Sequence, residues 1–124
     1  MKSPEDMLSK MKKLGELCDS YKPEAYAFVM EALDFTIKKL EKPRHISGKE
    51  LLEGVRQYAL KQFGPMARIV FEYWGVFKTG DFGHIVFDLI EVGLLRKCDE
   101  DSIEDFENCF DFKEAFDGKY QFQD

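Results

Sequence analysis

The fold class turns on one stretch, Leu94-Leu95-Arg96-Lys97-Cys98-Asp99-Glu100-Asp101-Ser102-Ile103-Glu104-Asp105-Phe106-Glu107-Asn108-Cys109-Phe110-Asp111-Phe112. Upstream of it the apolar residues recur at intervals of three and four, and after Gly93 that period is lost. Phe110 and Phe112 alternate with a polar residue, a spacing that puts side chains on one face of an extended strand. The stretch predicts a β-hairpin, two short strands around an exposed acidic turn centred near Ile103 and Glu104. With three helices before it and Val76-Phe77-Lys78 as a third short strand, this is the element order of a winged-helix unit.

Outward from the hairpin, the helices are marked by their ends. Ser47-Gly48-Lys49-Glu50 matches a capping box, in which the Ser hydroxyl takes one free amide and the Glu three residues on reaches back to another. The helix it opens carries Leu51, Leu52, Val55, Tyr58, Ala59 and Phe63 on one stripe and stops at Gly64-Pro65. A short helix over 66–74 follows. Thr79 is expected to cap the next, with Asp81 in its first turn and Phe82, Ile85, Val86, Leu89 and Ile90 on its buried face.

Toward the N-terminus, Ser3-Pro4-Glu5-Asp6 reads as a cap, and Met7, Leu8, Met11, Leu14 and Leu17 continue at helical spacing. Pro23 opens a second helix to about Glu41. Of the 16 residues from Ala25 to Leu40, 11 are apolar, which predicts a helix enclosed on more than one side. The expected architecture is mainly α in a single domain, 1–124. Two N-terminal helices fill 1–42, a winged-helix-like three-helix unit with a C-terminal β-hairpin fills 47–112, and a tail runs over 113–124.

Composition narrows the class. The chain has 124 residues, 44% hydrophobic and 34% charged, a folded mixture rather than a disordered one. No run approaches the 18 or so apolar residues of a membrane span. Met1-Lys2-Ser3-Pro4-Glu5-Asp6 lacks the apolar core of a secretory leader, and Cys18, Cys98 and Cys109 make an odd set without C-x-x-C spacing. A cytoplasmic location and reduced thiols are therefore expected. Residues 1–62 hold 12 basic against 10 acidic side chains, and residues 63–124 hold 6 against 14. The acidic half would repel a polyanion.

Arg44-His45-Ile46-Ser47-Gly48-Lys49-Glu50-Leu51-Leu52-Glu53-Gly54 and Asp81-Phe82-Gly83-His84-Ile85-Val86-Phe87, with the stretches at 24–33, 58–67, 73–76 and 91–95, resemble a family of small uncharacterised repeat proteins from planctomycetes, verrucomicrobia and their relatives. The resemblance spans about residues 20–118. It implies no activity, cofactor or site residue, and no internal self-similarity accompanies it here.

Candidate chemistry is sparse. Arg44 and His45 precede a helix N-terminus, where free amides, Lys42 and Lys49 could join them around a small anion; the plainer reading is a connector packed on its neighbours, since Ser47 already takes part of the amide supply. His84 lies between Asp81 and Asp88, a spacing that could orient an imidazole or, more simply, form a solvated pair. Asp99, Asp101, Glu104 and Asp105 could gather a hard cation but lack the pattern of a calcium loop. In the hairpin, Cys98 and Cys109 would face each other as thiols. Phe71, Tyr73, Trp74 and Phe77 could stack on bases, or serve as core. No catalytic residue, cofactor or metal ligand is assigned. Arg44, His45 and Lys49 are the candidate ligand-binding residues.

Three functions remain. The favoured one is a non-catalytic module that binds another protein. A winged-helix DNA-binding regulator is the second, opposed because the helix before the hairpin offers Asp81, His84, Asp88 and Glu91 where a reading helix carries cations. The third is a small-anion binder or enzyme at Arg44 and His45.

Overall fold

The computed structural model describes residues 21–42, 44–95 and 103–118. The helix expected over 3–17, the acidic residues Asp99 and Asp101, the pairing of Cys98 with Cys109 and the end of the expected tail lie outside the described residues.

Pro23 opens α1 (Pro23–Lys38), where its missing N–H falls on an amide that no turn of the helix would use. Ala25, Tyr26, Phe28, Val29 and Ala32 are buried, whereas Leu33 and Phe35 are half-buried and Ile37 is 37% exposed. The enclosure expected from the apolar pattern thus holds for the first half of the helix. The capping box forms as read: Ser47 Oγ accepts from the Glu50 amide at 3.1 Å, and Glu50 Oε1 accepts from the Ser47 amide at 2.9 Å. It starts α2 (Gly48–Phe63). Gly64, at φ 54°, ends the helix in a conformation that a Cβ would strain, and a 3₁₀ turn over Gly64–Met66 leads into α3 (Ala67–Tyr73).

α4 (Thr79–Glu91) begins differently from the expected Thr79 cap. The carboxylate of Asp81 takes the amides of Phe77 and Lys78 at 2.8 and 3.2 Å. Thr79 is buried, and its hydroxyl accepts the Cys109 amide at 3.2 Å, tying the start of α4 to the C-terminal segment. Phe28 packs on Phe63 and Tyr58, while Phe35 also meets Tyr58, so α1 and α2 run antiparallel. Tyr21 donates to Asp81 and Tyr26 to Asp88, each at 2.8 Å, so α1 and α4 run side by side in the same direction.

The core centres on Phe71, fully buried on the short α3. Its ring lies 5.3 Å from Phe28, 5.2 Å from Phe82, 5.3 Å from Phe116 and 5.8 Å from Trp74. Edge-to-face and tilted contacts of this kind add to the area each ring buries. One seven-residue helix therefore connects α1, α4 and the C-terminal turn.

The β-hairpin is not present among the described residues, and the winged-helix-like arrangement over 47–112 falls with it. Ile103–Phe106 is a 3₁₀ turn, Lys113–Gly118 a single π-helical turn, and Val76–Lys78 is not a strand. The physical reason lies in where the rings go. Phe106 is buried against both α2 and α4: a Cβ on Gly48 would come within 2.9 Å of its ring, and one on Gly83 within 2.8 Å of its Cβ. Phe112 and Phe116 enter the Phe71 cluster, 5.3 Å apart. Compact turns deliver all three rings inward, which an exposed wing could not. Asn108 at φ 51° makes the bend, and Asp111 Oδ2 accepts the Glu114 amide at 3.1 Å to start the last turn.

Candidate functional site

Two surfaces merit description, the connector before α2 and the outer face of α3. In the connector, buried Ile46 anchors the chain and leaves Arg44 and His45 exposed on either side of the helix entry. Arg44 makes a bidentate pair with Glu50, Nη1 to Oε1 at 3.1 Å and Nη2 to Oε2 at 2.7 Å, and Nη1 also donates to the His45 carbonyl at 3.0 Å. The guanidinium and the Ser47 amide together hold the Glu50 carboxyl down to about 2, and the same carboxylate raises Arg44 above its ordinary value. The positive end of α2 and the Arg44 charge are thus both answered from within. An incoming anion would have to displace Glu50.

Arg44 and His45 do line a pocket of about 170 Å³, together with Leu33, Ile37, Ile46, Leu51, Val86, Ile90, Leu95 and Phe106. Its walls are mostly apolar, with Arg44, His45 and Ser47 as the polar lining residues. Lys49 is not part of it. That side chain faces a separate, open hollow with Glu53, Glu107 and Cys109, so the structure brings together two of the three candidate ligand residues. Cys109 in that hollow is half-buried; its thiol donates to the Asp105 carbonyl at 3.2 Å, and burial raises its titration above the ordinary thiol value despite the nearby Lys49 charge.

The acids of α4 do not form the uniformly outward surface expected of them. Asp81 and Asp88 are half-buried and accept from Tyr21 and Tyr26. His84 and Glu91 are exposed. The comparison of this helix with a DNA-reading helix lapses with the hairpin that suggested it. Among the described residues no group of three or more His, Cys, Asp or Glu side chains is placed to hold a metal ion, and no helix is long and apolar enough to cross a membrane.

The second surface arises where the aromatic cluster Phe71, Tyr73, Trp74 and Phe77 divides between inside and outside. Phe71 and Trp74 go inward, but Tyr73 is 70% and Phe77 63% exposed, joined by Met66 at 52% and Ile69 at 54%. Five large hydrophobic side chains are exposed among the described residues, and four of them fall between residues 66 and 77. Met66, Ile69 and Tyr73 follow helical spacing on the side of α3 away from Phe71. Lys22 Nζ lies 5.2 Å from the Tyr73 ring centroid, and Arg68 pairs with Glu72 at 2.9 Å along the same helix. The signal was present in sequence: a seven-residue helix with one apolar stripe through Ala67 and Phe71 and another through Ile69 and Tyr73, led in by Met66, cannot bury both unless something else covers it.

Neither a family model, nor a curated protein, nor a solved structure matches this chain.

Proposed function

We propose that the protein is a non-catalytic protein–protein interaction module whose contact surface is the outer face of α3. One observation carries this reading: four of the five exposed large apolar side chains among the described residues, Met66, Ile69, Tyr73 and Phe77, fall within one short stretch of chain in and beside α3. Scattered apolar residues on a surface mean little, whereas a contiguous patch marks a contact region. Tyr, Phe and Met are also the residue types enriched where protein interfaces are buried, and the polar Lys22, Arg68 and Glu72 around them supply a rim. The unpaired cysteine count suits a reducing compartment, the cytoplasm. The resemblance to the small repeat family is part of the same proposal and assigns it no chemistry.

The test is recovery of a stoichiometric companion by tagged protein from its own cells, alongside the variant Tyr73→Ser/Phe77→Ser with its fold checked by circular dichroism. The wild type retains the companion and the variant loses it. Equal recovery by both would remove the α3 face from the reading.

A second reading rests on the pocket beside Arg44 and His45, kept for a small ligand. The apolar walls and the internal neutralisation of Arg44 favour a neutral apolar group over an anion, and a cavity near 150 Å³ accommodates a benzene-sized molecule. Titrating benzyl alcohol and inorganic phosphate separately, with amide shifts of Ile46, Leu51 and Ile90 as readout, distinguishes the two. Shifts with phosphate alone would restore the anion site.

A further inference from the structure

We propose that the surface met by the outer face of α3 is the same face of a second copy of this chain, the two α3 helices packing antiparallel about a twofold axis that passes between Ile69 and Val70. The inference rests on the reading of that face as a contact surface and names its occupant.

Register along the helix decides which residues would meet. At about 100° per residue, Met66 and Tyr73 lie on one flank of Ile69, and Arg68 and Glu72 lie on the other. A twofold axis lying in the interface, perpendicular to both helices, reverses chain direction while keeping each flank opposite its own copy. Residues equidistant from the axis then meet. The midpoint of 66 and 73 falls between Ile69 and Val70, and the midpoint of 68 and 72 is Val70. A single axis there sets Met66 against Tyr73 of the second copy and, to within half a residue, Arg68 against Glu72 of the second copy on the other flank, with the two Ile69 side chains on either side of the axis near the centre.

Two independent patterns, one apolar and one charged, thus select positions half a residue apart. A foreign partner would need a separately matched cation and anion, whereas this face carries one of each at the spacing that satisfies itself. Their pairing along the helix already exists at 2.9 Å, so closing the interface exchanges neighbours around four charges without leaving any unanswered. Isologous twofold contacts of this kind are the commonest way identical chains associate. The apolar surface is small: Met66, Ile69 and Tyr73 in and beside α3, with Phe77 following, each leave more than half of their area exposed. A stable interface takes about 800 Å² per chain. Association is therefore expected to be weak and reversible.

Sedimentation equilibrium between about 1 µM and about 1 mM tests it, the range in which weak contacts of this size dissociate. The expected result is a mass rising from one chain toward two. Tyr73→Ser/Phe77→Ser stays monomeric with unchanged circular dichroism. Arg68→Glu and Glu72→Arg each raise the dissociation constant about tenfold or more, by setting like charges opposite each other. The combined variant Arg68→Glu/Glu72→Arg recovers the wild-type value. Should a charge variant fold poorly, Ile69→Lys places two like charges on the axis and is expected to abolish the dimer.

A wild type that stays monomeric over the whole range overturns the proposal, and companion capture then judges the broader reading by itself. A dimer that survives Tyr73→Ser/Phe77→Ser overturns it by placing the contact elsewhere. A combined charge variant no better than the single ones overturns the antiparallel register.

Discussion

The two sides of α3 are built from the same kinds of residue and do opposite things. Inward, Phe71 is fully buried and touches rings from α1, α4 and the C-terminal turn. Outward, Tyr73 and Phe77 leave most of their surface in water, a few residues along the same chain. Hydrophobicity alone therefore does not say which residues hold this protein together. What differs is whether another element arrives to cover the ring, and the turn that carries Phe112 and Phe116 covers one side of α3 only.

The contrast is sharpened most by Phe71→Ala. Removing a fully buried ring at the meeting point of four segments is expected to cost about 3–5 kcal/mol in denaturant unfolding. A cost similar to that of an exposed ring would break the comparison. Gly83→Ala comes next, because the new Cβ would lie 2.8 Å from the Phe106 Cβ, an atom close to the backbone that cannot swing away. We expect a loss of about 1–3 kcal/mol by overpacking; an unchanged midpoint would mean that Phe106 does not sit between α2 and α4.

Thr79→Val keeps the shape but removes the acceptor of the Cys109 amide, with an expected loss of about 1–2 kcal/mol and faster hydrogen exchange at Cys109. At the low end, Tyr73→Ser/Phe77→Ser should change stability by no more than about 0.5 kcal/mol per site, while abolishing association. If this pair instead destabilises as much as Phe71→Ala, the outer face is structural.

Glu50 supplies a different kind of check. Its carboxyl should titrate near 2, not near 4.5, in a pH series followed by carboxyl carbon NMR. A folded-state value below the unfolded one means that its contribution is complete above about 4.5 and is lost as the pH falls toward 2. Arg44→Gln should bring the titration back up; if it does not, the bidentate pair is not what holds the charge.

Much of the helical layout could be read from the chain itself, because helix ends are set by local chemistry. Pro23, the Ser47–Glu50 box and Gly64 act on amides and dihedral angles within a few residues, and each stands where its pattern put it. The candidate site was only partly legible. Arg44 and His45 do share a pocket, but Lys49 at the start of α2 faces elsewhere, and the carboxylate that answers Arg44 carries only a capping pattern in the sequence. A side chain's partner across space leaves no mark at a fixed spacing.

Sequence alone therefore determined a mainly helical chain with defined helix starts and a surplus of aromatic residues. It did not determine which of those aromatics would be enclosed, or that Phe106, Phe112 and Phe116 would reach the interior from helical turns and not from strands. Only the tertiary structure decided that. Burial is a property of the neighbours a ring finds, and two glycines distant from Phe106 in the chain, Gly48 and Gly83, provide the space that settles where it goes.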